Sequence, residues 1–107
     1  MDPTPRDSYF QVTVDVAATP AVVSASGELD AATSEEFGQA IDAALETGNG
    51  VALDLGQLTF IDSSGVRVIT VALHRARDED QAFRLSAASD AVKRIFDLTG
   101  VGELFEP

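Results

Sequence analysis

Residues 51–65 read VALDLGQLTFIDSSG, and the succession of chemical types along them decides the fold. Val51–Leu55 is short and almost wholly apolar, the signature of a strand buried on both faces of a partly parallel sheet. Asp54 is its one polar residue. Residues 58–62 (LTFID) lead into a second periodicity, in which Val66, Ile69, Leu73 and Ala76 recur at i, i+3, i+7 and i+10. That spacing predicts a helix from about Ser64 to Arg77. A buried strand running into an amphipathic helix is a building unit of an α/β domain.

The flanking residues complete the pattern. On the N-terminal side, Thr33–Glu36 (TSEE) has the form of a capping box, and Phe37, Ala40, Ile41, Ala44 and Leu45 follow at helical spacing. Gly48–Gly50 (GNG) ends that helix. Further upstream, Phe10–Val16 (FQVTVDV) alternates apolar and polar at every step, as a strand with one face on a core does. After a turn marked by Pro20, residues 21–26 (AVVSAS) resume the strand pattern up to Gly27, and the short connection predicts an antiparallel hairpin. On the C-terminal side, Ala82–Ser86 reads as a strand. Ser89–Thr99 reads as a helix with Val92, Ile95, Phe96 and Thr99 inward and Gly100 as its stop. Leu104 and Phe105 are left to cap the core. The expected fold class is α/β: one domain with a mixed sheet of four to five strands, an N-terminal hairpin and helices from the β-α crossovers packed on it. Residues 1–8 hold two of the four prolines and read as a flexible tail, with the domain over 9–107.

Composition bounds the function. A chain of 107 residues makes one domain, and 45% hydrophobic residues suffice for a core without a stabilising cofactor or metal. Seven Lys+Arg against 18 Asp+Glu leave a net charge of −11, which argues against nucleic acid or an anionic membrane as partner, since both call for clustered cations. The absence of cysteine removes disulfides, thiolate catalysis and Cys-type metal sites. No apolar run approaches the ~18 residues of a membrane span, and MDPTPRDSY lacks the apolar stretch of a signal peptide. The chain reads as soluble, unprocessed and cytoplasmic.

The chemistry concentrates at Asp62, Ser63, Ser64 and Gly65. As a purely structural feature, DSSG is a helix N-cap. Capping needs only one polar side chain, however, and here three stand beside a glycine that clears steric space for an approaching group. A serine at a helix N-terminus also accepts phosphate at low local cost, because the dipole and free N–H groups favour negative charge. Gly27–Asp30 (GELD) is either a simple turn or a loop that brings the Asp30 carboxylate near Ser63, within reach of its hydroxyl.

Catalytic alternatives fail on chemistry. Ile61–Gly65 lacks the first glycine of a GxSxG elbow, and the only histidine, His74, lies eleven residues past Ser63, about 16 Å along the same helix. His74 reads as a solvated surface residue. Neither GNGVAL nor GVGELF satisfies a phosphate-cradling motif, and the acidic clusters Glu35–Glu36 and Asp78–Asp80 do not match a Ca²⁺ loop.

With GELD, a helix, VALDLGQLTFIDSSG and an amphipathic helix in that order, the chain resembles the STAS domain family, especially the stand-alone bacterial anti-sigma-factor antagonists, over about residues 9 to 106. The resemblance implies a non-enzymatic regulator of transcription in stress response or sporulation, without cofactor or metal. In such proteins the first serine after the aspartate, here Ser63, is phosphorylated by an anti-sigma factor that is itself a serine kinase. The unphosphorylated form binds the anti-sigma factor and frees the sigma factor, and a PP2C-type phosphatase restores it. By the same motif Asp30, Asp62, Ser64, Gly65, Val66 and Arg67 belong to the partner-binding surface, on a monomer or weak dimer. Many relatives continue DSSG with Leu and Gly, where this chain has Val66 and Arg67. The alternative is a non-catalytic STAS scaffold or ligand-binding subunit of a stress-signalling assembly.

Overall fold

The computed structural model describes residues 9–105, so the expected tail at 1–8 lies outside the described residues. Its elements in chain order are β1 (Phe10–Asp15), β2 (Ala21–Leu29), α1 (Ser34–Leu45), β3 (Val51–Ile61), α2 (Ser63–Asp78), β4 (Phe83–Ala88) and α3 (Asp90–Thr99), followed by a 3-10 turn at Val101–Leu104. The four strands form one sheet in the order β1-β2-β3-β4. β1 and β2 pair antiparallel, as the short connection at Pro20 predicts, and β2-β3 and β3-β4 pair parallel.

One face of the sheet is the core face. Register aligns Val14 with Val23, Val23 with Leu53 and Leu53 with Leu85, and this row meets Phe37, Ile41 and Leu45 of α1, Ile69 and Leu73 of α2 and Val92 and Phe96 of α3 in a single cluster. Each fully buried Leu, Val or Phe in it contributes about 1.5–3 kcal/mol of hydrophobic stabilisation. Phe105 closes the cluster from the C-terminal side, its ring 5.7 Å from those of Phe83 and Phe96. The opposite face carries Thr13, Ser24 and Asp54, also in register. Asp54 is therefore no defect in a buried strand: its side chain is on the outer face and accepts the Gly56 N–H at 3.0 Å beside a shift in the β3-β4 register.

The structure departs from the sequence-based reading in four places. β2 runs through Gly27 and Glu28 to Leu29 rather than stopping at Gly27, because Gly27 (φ +91°) absorbs an irregularity in the register and buried alternation continues to Leu29. β3 extends to Ile61, eleven residues in all, with Leu58 and Ile61 still buried. The capping box at Thr33 and Glu36 does not form: Thr33 makes no side-chain cap bond, and its hydroxyl instead donates to the Glu28 carbonyl (3.0 Å) and accepts from the Asp30 N–H (3.0 Å). That hydroxyl is engaged in closing the loop that enters α1. Thr99 faces outward, its hydroxyl donating to the Ile95 carbonyl one turn back. Smaller shifts put the start of β4 at Phe83 and the start of α2 at Ser63.

Candidate functional site

The site stands where β2 and β3 end side by side. Leu29 pairs with Ile61, and the Asp62 N–H donates to the Leu29 carbonyl at 3.2 Å, so Asp30 and Asp62 leave adjacent strand ends. Asp62 is extended (φ −118°, ψ −170°) and is the N-cap of α2. Its Oδ1 accepts the N–H groups of Ser64 (2.9 Å) and Gly65 (3.4 Å), two of the four donors that a helix start leaves without a partner. The cap is thus the aspartate, which leaves Ser63 free of that duty.

Ser63 is the first residue of α2 and is exposed. Among the described residues its hydroxyl makes no hydrogen bond. Ser64 is half-buried beside it. Gly65 is buried, and the space its missing side chain leaves is filled from within: a Cβ there would stand 2.7 Å from Leu29 Cγ and 3.0 Å from Ile61 Cγ1. The reading of Gly65 as a clearing for an approaching group is thereby corrected, since the clearance serves the seating of α2 on the strand ends. Val66 is half-buried against the core, and Arg67 is exposed.

The Asp30 carboxylate accepts the N–H groups of Ala32 (3.0 Å) and Thr33 (3.2 Å), a turn built on its own loop. The structure brings Asp30 to the same end of the sheet as Ser63, but no Asp30–Ser63 hydrogen bond occurs among the described residues. Leu29, Ile61 and Thr33 are the positioning residues that sequence reasoning passed over. The signal for Leu29 was the alternation continuing through GELD, whereas Thr33 looked like an ordinary cap.

Charge at the site comes from Asp62 and Asp30 on one side and Arg67 on the other. No group of three or more His, Asp or Glu residues able to hold a metal occurs among the described residues, and His74 is exposed on α2 as expected. Among the described residues no helix is long and apolar enough to cross a membrane. The arrangement presents an unengaged hydroxyl at the start of a well-capped helix.

Residues 12–106 match the family model described as Mlab, STAS domain, and the chain belongs to the STAS domain family. Among its relatives, an anti-sigma-B factor antagonist of Listeria monocytogenes is 28% identical over 82 residues, 76% of this chain and 72% of the relative. The crystal structure of an anti-sigma factor antagonist from Mycobacterium paratuberculosis superposes with a TM-score of 0.82 at 26% identity, covering 95% of this chain and 87% of that one. The phosphorylated Bacillus cell fate determinant SpoIIAA gives a TM-score of 0.70 at 21% identity, covering 90% and 89%, a likeness of fold alone.

Proposed function

We propose that this protein is an anti-sigma-factor antagonist that binds a serine-kinase anti-sigma factor, and so frees the sigma factor, while Ser63 is unmodified, and that phosphorylation of Ser63 switches it off. The observation that carries the reading is the exposed Ser63 hydroxyl at the first position of α2, relieved of capping by Asp62, in a chain whose relatives are named anti-sigma factor antagonists. The protein then acts by binding rather than by catalysis, in the cytoplasm, with a PP2C-type phosphatase returning it to the binding form.

The physics of the switch is local. Phosphate adds about −1.5 to −2 charge and three acceptor oxygens at a point that already holds the carboxylates of Asp62 and Asp30. A thousandfold loss of affinity corresponds to about 4.1 kcal/mol, within reach of a dianion forced into a partly desolvated contact. No rearrangement of the domain is called for. Asp62, Ser64 and Asp30 frame the serine, Val66 and Arg67 continue the docking surface along α2, and Gly65 acts from beneath by seating the helix.

The test is peptide mass spectrometry after incubation with ATP and each kinase-type anti-sigma factor of the host, combined with a measurement of complex formation. One phosphate on Ser63 together with loss of the complex is the expected result. A stable complex that never yields phosphate would overturn it.

A further inference from the structure

Helix α2 places Ser63 at its first residue and Arg67 four residues on, and both are exposed. Residues i and i+4 of a helix stand on the same face with Cβ atoms about 5–6 Å apart. Helical side chains favour rotamers that lean toward the N-terminus, so a side chain as long as that of Arg67 can reach the turn that carries Ser63. An anion at i with a cation at i+4 is also the favourable order for a helical ion pair.

The surroundings leave Arg67 available and a phosphate in need of it. Arg67 borders a groove between α1 and α2, and the acid on the α1 side of that groove, Asp42, is held by Arg75 at 3.1 Å. Among the described residues Arg67 forms no ion pair. At the other end, the Asp62 carboxylate has already taken the N–H groups of Ser64 and Gly65, and Asp30 leaves the neighbouring strand end. A phosphate on Ser63 therefore finds two helix donors engaged and two carboxylates close by. Arg67 is the only cation in the first two turns of α2.

We propose that Arg67 is the counter-charge of a phosphate on Ser63, pairing with it along the face of α2. The proposal rests on the reading of Ser63 as the phosphorylated residue and adds how the modified site is held. Phosphorylation then changes the docking surface twice: it adds negative charge at Ser63, and it withdraws the Arg67 guanidinium from the partner and turns it onto the phosphate.

The test uses full-length protein carrying phosphoserine at position 63, installed during synthesis so that no kinase is involved. The second phosphate pKa is read by ³¹P NMR titration in the Arg67 protein, in Arg67→Ala and in Arg67→Lys. Free phosphoserine titrates near 6. Pairing predicts that Arg67→Ala raises the second pKa by at least ~0.5 unit over the Arg67 protein, that Arg67→Lys recovers part of the shift, and that 1 M salt narrows the difference. Amide spectra of the unmodified variants, unchanged away from α2, establish that the fold is intact. Equal pKa values in all three proteins would overturn the pairing while leaving the phosphorylation of Ser63 standing. Conversely, failure of any kinase to modify Ser63 would sink the proposed function and leave the titration result untouched.

Discussion

A Cβ atom added at Gly65 would lie 2.7 Å from Leu29 Cγ and 2.8 Å from its Cδ2, so the first turn of α2 rests directly on the last buried residue of β2. This contact couples the GELD and DSSG segments, which begin 35 residues apart in the chain but share one packing layer. Leu29 is fully buried and has little room to retreat. Gly65→Ala is expected to destabilise the fold by about 1–3 kcal/mol, the usual cost of overpacking a tight site. Urea denaturation checks it, and an unchanged midpoint would show that α2 is not seated in this way. The companion change Leu29→Ala, in the Gly65→Ala background, should restore part of the clearance and cost less than the sum of the two single changes.

At Gly27 the obstruction is backbone rather than a side chain. A Cβ there would collide with the Tyr9 carbonyl oxygen, the same oxygen that accepts the Glu28 N–H at 2.8 Å, and φ is +91°. A backbone carbonyl held by that hydrogen bond has less freedom to shift than a side chain does. Gly27→Ala is expected to cost about 2–5 kcal/mol, strain and overpacking together, and more than Gly65→Ala in the same denaturation experiment.

The fold could be read from the chain wherever one physical signal dominated. Alternation in Phe10–Val16 and the i, i+3, i+7 spacing of Val66, Ile69 and Leu73 each have a single interpretation, and the strand β1 and the helix α2 follow. Boundaries failed where glycine had two uses. Gly27 read as a stop because glycine ends strands, yet here its positive φ lets the strand continue past an irregularity to Leu29. Gly65 read as open space because a missing side chain looks the same in sequence whether solvent or Leu29 fills it. Thr33 illustrates a third limit: its hydroxyl had a local partner in the capping box and a better one across the loop at the Glu28 carbonyl, which only the closed loop reveals.

Asp62 caps α2 through two N–H groups, and removal of its carboxylate strands both. Asp62→Ala should therefore cost about 0.5–2 kcal/mol, while Asp62→Asn, an equally good cap, should cost only a few tenths. Thermal denaturation of the two variants separates the hydrogen-bonding role from the charge. If charge beside Ser63 matters to the partner as well, Asp62→Asn will alter anti-sigma binding with almost no loss of stability.

Arg75 joins α1 to the end of α2, 3.1 Å from Asp42 and 2.9 Å from Glu79. Its hydrogen bond to the Glu79 carboxylate holds that carboxyl below its ordinary pKa, and the same bond raises Arg75 above its own. A carboxyl depressed in the folded state contributes stability above its unfolded pKa and loses it as pH falls through the folded one. The raised Arg75 contributes wherever it is charged in both states, so it adds no slope near neutrality. Both groups are solvent-accessible, and the effect is small. The melting temperature of Arg75→Ala should lie slightly below that of the unmutated protein at pH 7, and the gap should close below the ordinary carboxylate range of about 4.3. A gap that persists unchanged at pH 2 would mean that Arg75 acts through packing of its stem and not through Glu79.

Ser63 sits outside the cap and outside the core, so its substitutions separate function from folding. Ser63→Ala should leave stability within about 0.5 kcal/mol of the unmutated protein, as exposed positions do, while removing the hydroxyl that takes phosphate. Its complex with the anti-sigma factor should then persist in the presence of ATP, where that of the unmutated protein decays. Ser63→Asp brings one negative charge in place of the phosphate's −1.5 to −2 and lacks its third oxygen. It should weaken the complex by about tenfold to a hundredfold, or ~1.4–2.7 kcal/mol, short of full phosphorylation. Calorimetric titration of the three proteins against the same anti-sigma factor gives the order directly. Equal affinity of Ser63→Asp and Ser63→Ala would mean that charge at this position does not govern docking, and that the switch must work through the shape of the phosphate or through Arg67 alone.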